Sequence, residues 1–425
     1  MSAQSLPEPT SLRDLTSRQL QGGLAAWLGW LFDGMDSTLY VLVAGSLVPM
    51  LVPAGTPKAT IVHIGSYIQA ALLVGWALGG TLFGRVGDRI GRSRTMALTI
   101  LLFSLCTGLS TLAPNWQTFL VLRFLAALGI GGEWAAGSSL VCETWPKRWR
   151  PWVSATLQSA FQCGILVATL AAGVFAANPR LVFLVGALPA LLVYWIRRAV
   201  PEPEEWTTAK QQQPDPPVIE LFRGPVLRTT LLSLLICSAS LTTVWALIFW
   251  YPQQLRQLPD IAHWSDVQKQ HYVAFASLIT TVMAIGGNYF AAFLARCFNY
   301  KVAISITFIG AWLAMLAAYA FPHNHITILY YIIWAHFFSQ GVFGLYPLYI
   351  PPLFPTLLRT TGAGFSYNTG RIVAAIGTVV FGVLAPVSNF AQALVWVAWL
   401  YVPALFIALL IPEPSQEGLP EQAAS

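Results

Sequence analysis

Charge is what this sequence has least of. Asp, Glu, Lys and Arg together make up 9% of the residues, where a soluble domain carries about 25%. So little charge could not keep a surface this size in water, and lipid removes that requirement. Cysteine is also scarce. Cys106, Cys142, Cys163, Cys237 and Cys297 are odd in number and contain no Cys-x-x-Cys pair, which excludes a disulfide framework and a metal site as expectations. No apolar stretch with a small-residue cleavage site follows Met1, so no signal peptide is expected. No phosphate loop, metal cluster or nucleophile arrangement is found either. An enzyme is therefore the least favoured class, and no cofactor is expected.

Apolar residues are abundant, at 56% of the chain, with 17 Trp, 14 Tyr and 24 Phe to anchor membrane interfaces. A spanning helix needs about 20 mostly apolar residues. Such runs recur at 22–46, 61–84, 95–113, 117–140, 152–176, 180–197, 229–250, 269–294, 302–321, 325–349, 361–385 and 388–411. The expectation is an all-α membrane protein with twelve transmembrane helices.

The basic residues orient it. Lys and Arg favour cytoplasmic loops. With the N-terminus inside, seventeen of the 23 basic residues fall on the cytoplasmic side. Lys58, Arg180, Arg256 and Lys269 fall outside, and Arg123 and Arg371 lie within spans. This explains the net charge of +6 as topology and argues against a nucleic-acid partner. Both termini are placed in the cytoplasm and the protein in the cell inner membrane.

The segment after Pro201 is rich in proline and glutamine and reads as a partly disordered linker. It divides the chain into an N-terminal segment 1–21, a six-helix bundle 22–198, a linker 199–228, a second six-helix bundle 229–411 and a tail 412–425. The halves echo each other. Glu143-Thr-Trp-Pro146 is followed by Arg150, and Pro352-Leu-Phe-Pro355 by Arg359, each in the loop after the fourth span of its half. A chance match of Pro and Arg in two loops is the bland alternative. The agreement of position and spacing favours a parallel repeat, giving two pseudo-symmetric bundles.

The loop after the second span reads Gly84-Arg-Val-Gly-Asp88-Arg89-Ile-Gly91-Arg92-Ser-Arg94. Gly84 and Gly91 permit a tight turn and close helix approach. Asp88 can accept hydrogen bonds from a helix N-terminus or a nearby Arg. Here the sequence resembles the major facilitator superfamily, whose signature loop has this pattern. Arg123 to Trp134, Pro201-Glu202 to Trp206, and Phe354 to Gly362 resemble further motifs of that family. Gly29 to Asp36, Gly132-Glu133-Trp134 and Tyr367-Asn368-Thr-Gly370-Arg371 look most like its sialate and metabolite:proton symporter groups. The resemblance implies alternating access, a monomer, and a cytoplasmic gate formed by Gly84, Asp88, Arg89, Gly91, Arg92, Glu143, Arg150 and Arg359. Two departures stand out. The second copy of the loop, around Arg296, lacks the Asp-Arg-x-Gly core, and Pro352 replaces an acid usual in the family. A lopsided lock, resting on Asp88, Glu143 and arginine partners in the N-terminal half, is expected.

Five ionisable residues lie inside spans, where each costs at least about 2.5–3.5 kcal/mol and marks a functional candidate. Asp36 and Arg123 both come out roughly 21 Å above the cytoplasmic face, so they can meet. Family sugar porters use a similar pair in proton coupling. The resemblance therefore implies Asp36 as proton acceptor with Arg123 as its changing partner; a static ion pair is the alternative. Asp33, one turn from Asp36, and Glu133 are further proton-coupling candidates, or carboxyls satisfied by water and polar neighbours. Arg371 has no acid in spans seven to twelve to neutralise it, so a substrate carboxylate is a fitting partner, with Asn368 one turn earlier. Backbone carbonyls are the alternative. His336 and Gln340 are weaker substrate-binding candidates. The favoured function is proton-coupled symport of a small organic anion, of the sialic acid or monocarboxylate class. A porter of sugars or of neutral or cationic compounds, including drug efflux, is the second reading, and a membrane sensor the third.

Overall fold

The structure, a computed structural model, describes residues 15–175, 177–212, 214–384 and 390–414. Most of segments 1–21 and 412–425, with Arg13, lies outside them. The first six spans are α1 (Ser17–Leu47), α2 (Lys58–Ile90), α3 (Arg92–Ser110), α4 (Trp116–Thr144), α5 (Arg150–Val174) and the pair α6 (Val182–Val185) and α7 (Ala190–Ala199). After a short helix α8 (Glu204–Gln212) come α9 (Gly224–Arg256), α10 (Asp266–Cys297) and α11 (Tyr300–Tyr319). They are followed by the pair α12 (Thr327–Gly341) and α13 (Tyr346–Tyr349), then α14 (Arg359–Leu384), then the pair α15 (Phe390–Ala398) and α16 (Tyr401–Leu410). Eleven of these stretches are long and apolar enough to cross a membrane, and α14 supplies the twelfth.

Leu and Phe side chains that would be buried in a soluble protein face outward here, as with Leu170, Phe293 and Phe406. The small and polar residues point inward. Hydrogen-bonding groups in hydrocarbon need partners, and only continuous helices provide them without water. Where three spans break, proline sits close by: Pro189 caps α7, Pro347 lies in α13 and Pro403 in α16.

α2 crosses from the first bundle to meet α14 of the second. The crossing is very tight. A Cβ on Gly80 would lie 1.9 Å from Asn368 Nδ2, and one on Gly364 2.2 Å from the Gly80 carbonyl. Only glycine allows helices to approach so closely.

The linker differs from the partial disorder its composition suggests. Its described residues form α8 and a 3-10 turn, Val218–Phe222. Tertiary anchors explain this. Buried Trp206 donates its indole N–H to the Asp88 carbonyl at 2.9 Å, and the Arg92 guanidinium lies over its ring. The Glu202 carboxylate accepts from the first backbone N–H groups of α3, Ser93 and Arg94, where negative charge suits the helix dipole.

Candidate transport site and cytoplasmic gate

Asp36 and Arg123 meet as the depth estimate requires. Arg123 Nη1 lies 3.1 Å from Asp36 Oδ1, with both side chains fully buried. Thr107 joins them: its hydroxyl donates to Asp36 at 2.7 Å and accepts from Arg123 Nη2 at 2.6 Å. Ser110 accepts a second bond from Arg123, and the rings of Phe119 and Phe183 flank the guanidinium. Thr107 and Ser110 were not singled out in the sequence. Hydroxyls in an apolar span are common, and nothing in the spacing aims these two at Arg123.

Asp33 and Glu133 are both buried, and the charges acting on Asp33 are those of Glu133, Arg371 and Asp36. Glu133 lies against Gly29, where a Cβ would be 2.1 Å from its Oε1. The Asp33 and Glu133 carboxyls lie within hydrogen-bonding reach of each other, and among the described residues no other group bonds to either oxygen of Glu133 or to Oδ1 of Asp33.

Arg371 reaches across from α14 to the first bundle. Its guanidinium carbon lies 3.8 Å from the centroid of Trp76 on α2 and 4.8 Å from that of Tyr367. Trp134 of α4 stacks on Tyr367 at 4.1 Å, with an interplanar angle of 5°. Arg371 Nη1 donates to Asn368 Oδ1 at 3.2 Å, and Asn368 donates in turn to the Gly364 carbonyl. Among the described residues no carboxylate lies within 4 Å of Arg371. Trp76 is the member of this group that sequence reasoning missed, as one of 17 tryptophans with no motif to mark it.

His336 belongs to another set of contacts. It is buried, its Nδ1 lies 2.8 Å from the Ile332 carbonyl, and its ring meets the edge of Tyr251 on α9. Gln340, one turn on, is half-buried. Neither is seen to join the Arg371 group.

The residues expected to form the cytoplasmic gate join the two bundles in this structure. Asp88 accepts from the backbone N–H groups of Thr360 and Thr361 at 3.2 and 2.8 Å and from the Thr361 hydroxyl at 2.5 Å, while Arg92 lies 3.3 Å away. Thus one carboxylate both caps α14 and pairs with Arg92. Glu143 binds Arg92 at 2.9 Å and Arg359 at 3.0 Å. Glu205 of α8, not singled out beforehand, binds Arg359 at 2.8 Å and the Thr356 hydroxyl at 3.2 Å. Burial pushes the Glu205 carboxyl up, but Arg359, the Thr356 hydroxyl and Arg150 together outweigh this and hold it below its ordinary value.

The expected lopsidedness needs correcting. The acids do come from the first half and the linker, but their partners Arg359, Thr360 and Thr361 come from the second. Arg150 also departs from expectation. It donates to the Cys142 and Trp145 carbonyls at the end of α4 and makes no ion pair with Glu143. Arg89 is exposed. Gly84 packs against the Thr360 carbonyl, and Gly91 takes a φ of 112° at the turn between α2 and α3.

The chain is similar to the sialic acid transporter NanX of Escherichia coli strain K12, with 29% identity over 91% of each chain. It is also 29% identical to the cis,cis-muconate transport protein of Acinetobacter baylyi, covering 92% of this chain and 95% of the other. The fold matches a solved structure of the proton:xylose symporter XylE bound to 6-bromo-6-deoxy-D-glucose. The TM-score is 0.78 at 16% identity, over 93% of this chain and 96% of that one. Residues 26–378 match the Major Facilitator Superfamily, and the chain belongs to that family, as a multi-pass membrane transporter of small molecules.

Proposed function

We propose that this transporter is a proton-coupled symporter of a small organic anion, acting as a monomer in the inner membrane with both termini cytoplasmic. The observation that carries this reading is Arg371. It is a half-buried cation held between aromatic faces, and among the described residues no carboxylate lies within ion-pair distance. A substrate carboxylate would supply the missing charge through a charge-assisted, forked pair. The ring-lined setting of Arg371 suits a flat acid better than a polyhydroxylated one, because aromatic rings offer few hydrogen bonds. The relatives' names cover both kinds, muconate and sialic acid.

Proton coupling is assigned to Asp36 with Arg123, and to Asp33 with Glu133 as further acids on the path toward Arg371. Buried intramembrane acids of this kind mark proton relays. The test is uptake into proteoliposomes of labelled carboxylates, sugars and amines, with and without an inward proton gradient. Carboxylate uptake driven by the gradient is expected. Movement of amines with carboxylates ignored would overturn the reading.

A further inference from the structure

The loop that lacks the acid borders a cavity. At the loop after α2, Arg92 of the first half and Arg359 of the second are neutralised by Asp88, Glu143 and Glu205. In the second half, the related loop after α10 has no Asp, and it faces the loop between α4 and α5. Between them lies a cavity of about 530 Å³ lined by Lys147, Arg148, Arg150 and Arg296. One carboxylate, Glu413, shares the lining, and its Oε1 already accepts from the Lys301 backbone N–H at 2.6 Å. Among the described residues the lining thus holds four cations and one acid, and Lys147 already has a partner. Arg150 is held in place by its bonds to the Cys142 and Trp145 carbonyls, while Arg148 and Arg296 are exposed. Phe298, 65% exposed, stands in the same lining, where the spans end at the membrane surface.

We propose that this cavity binds a phosphate group, carried by an anionic phospholipid of the adjoining leaflet. Phosphate oxygens accept from several arginine and lysine donors at once, and basic pockets between spans at this level suit lipid headgroups. Phe298 gives the glycerol and upper chains an apolar surface. Soluble phosphate offers the same oxygens without the chains. The ligand would tie the α4–α5 loop of one bundle to the end of α10 in the other, as the acids tie the bundles together at the loop after α2.

The experiment uses the purified full chain in detergent. Thermal unfolding midpoint and lipid retention in native mass spectrometry are followed with dioleoylphosphatidylglycerol, dioleoylphosphatidylcholine or inorganic phosphate. Phosphatidylglycerol is expected to raise the midpoint and to bind about tenfold more tightly than phosphatidylcholine. The double variant R148Q/R296Q, both positions exposed, should lose about tenfold in phosphatidylglycerol affinity. The control R94Q/R228Q removes two exposed cations outside the cavity and should bind as the parent does. Equal binding by R148Q/R296Q and the parent would overturn the site. So would an equal loss in the control, which would show attraction to basic surface in general. If inorganic phosphate alone gives the full response, and R148Q/R296Q abolishes it, the phosphate site stands and the lipid source is overturned.

Discussion

Arg371 and Arg123 are the same residue type in opposite circumstances. Arg123 is surrounded by Asp36, Thr107 and Ser110. Arg371 has two ring faces, one amide oxygen and the Tyr367 hydroxyl, with the Asp33 carboxyl attracting it from beyond ion-pair distance. For Arg371→Gln, loss of a charge-assisted pair worth about 1.5–3 kcal/mol should raise the KM for a carboxylate roughly 10–100-fold. Arg371→Lys should not restore it, because an ammonium lacks the planar fork and stacks poorly. An unchanged KM in uptake assays would argue for a structural arginine. Asp36→Asn should abolish proton-driven accumulation while counterflow exchange continues. Uphill uptake by that variant at the parent rate would remove Asp36 from the coupling path.

At the scale of elements, the gate depends on what caps α14 and what α8 adds. Glu205 has a carboxyl lowered by Arg359, so its contribution to the closed gate is present above the ordinary carboxylate range, near pH ~4.3. That contribution is lost as pH falls through the lowered value. Gate closure should therefore be insensitive to Glu205 titration between about pH 5 and 8. Glu205→Gln should weaken closure throughout that window, read as a wider distance between spin labels at R89C on one bundle and R228C on the other. Gly80→Ala should widen the same distance more, because the added methyl meets Asn368 at the α2–α14 crossing. An unaltered distance distribution would mean that the helices absorb the methyl without separating.

The spans, the signature loop and the Asp36–Arg123 pair were legible in the sequence, because hydropathy period and helical rise fix depth along one helix. Rise says nothing about rotation between helices. Trp76 beside Arg371, Thr107 between Asp36 and Arg123, and Glu205 at Arg359 all depend on that rotation, and no pattern in the chain reports it. The order in the linker was hidden for a related reason. Composition describes residues 201–212 as solvated chain, whereas Trp206 and Glu202 find partners some hundred residues away.

For the molecule as a whole, the two halves contribute unlike parts. The first carries the intramembrane acids, and the second carries Arg371 on α14. That same helix begins with the groups that Asp88 holds. Arg359 and Arg371 therefore ride one rigid rod, about 18 Å apart at 1.5 Å rise per residue. The rod acts as a lever. On the proposed reading, a ligand that immobilises its middle would also damp its cytoplasmic end, and unlocking that end would tilt the cation away from Trp76. Occupancy and gating become one mechanical event, with no separate messenger needed between them.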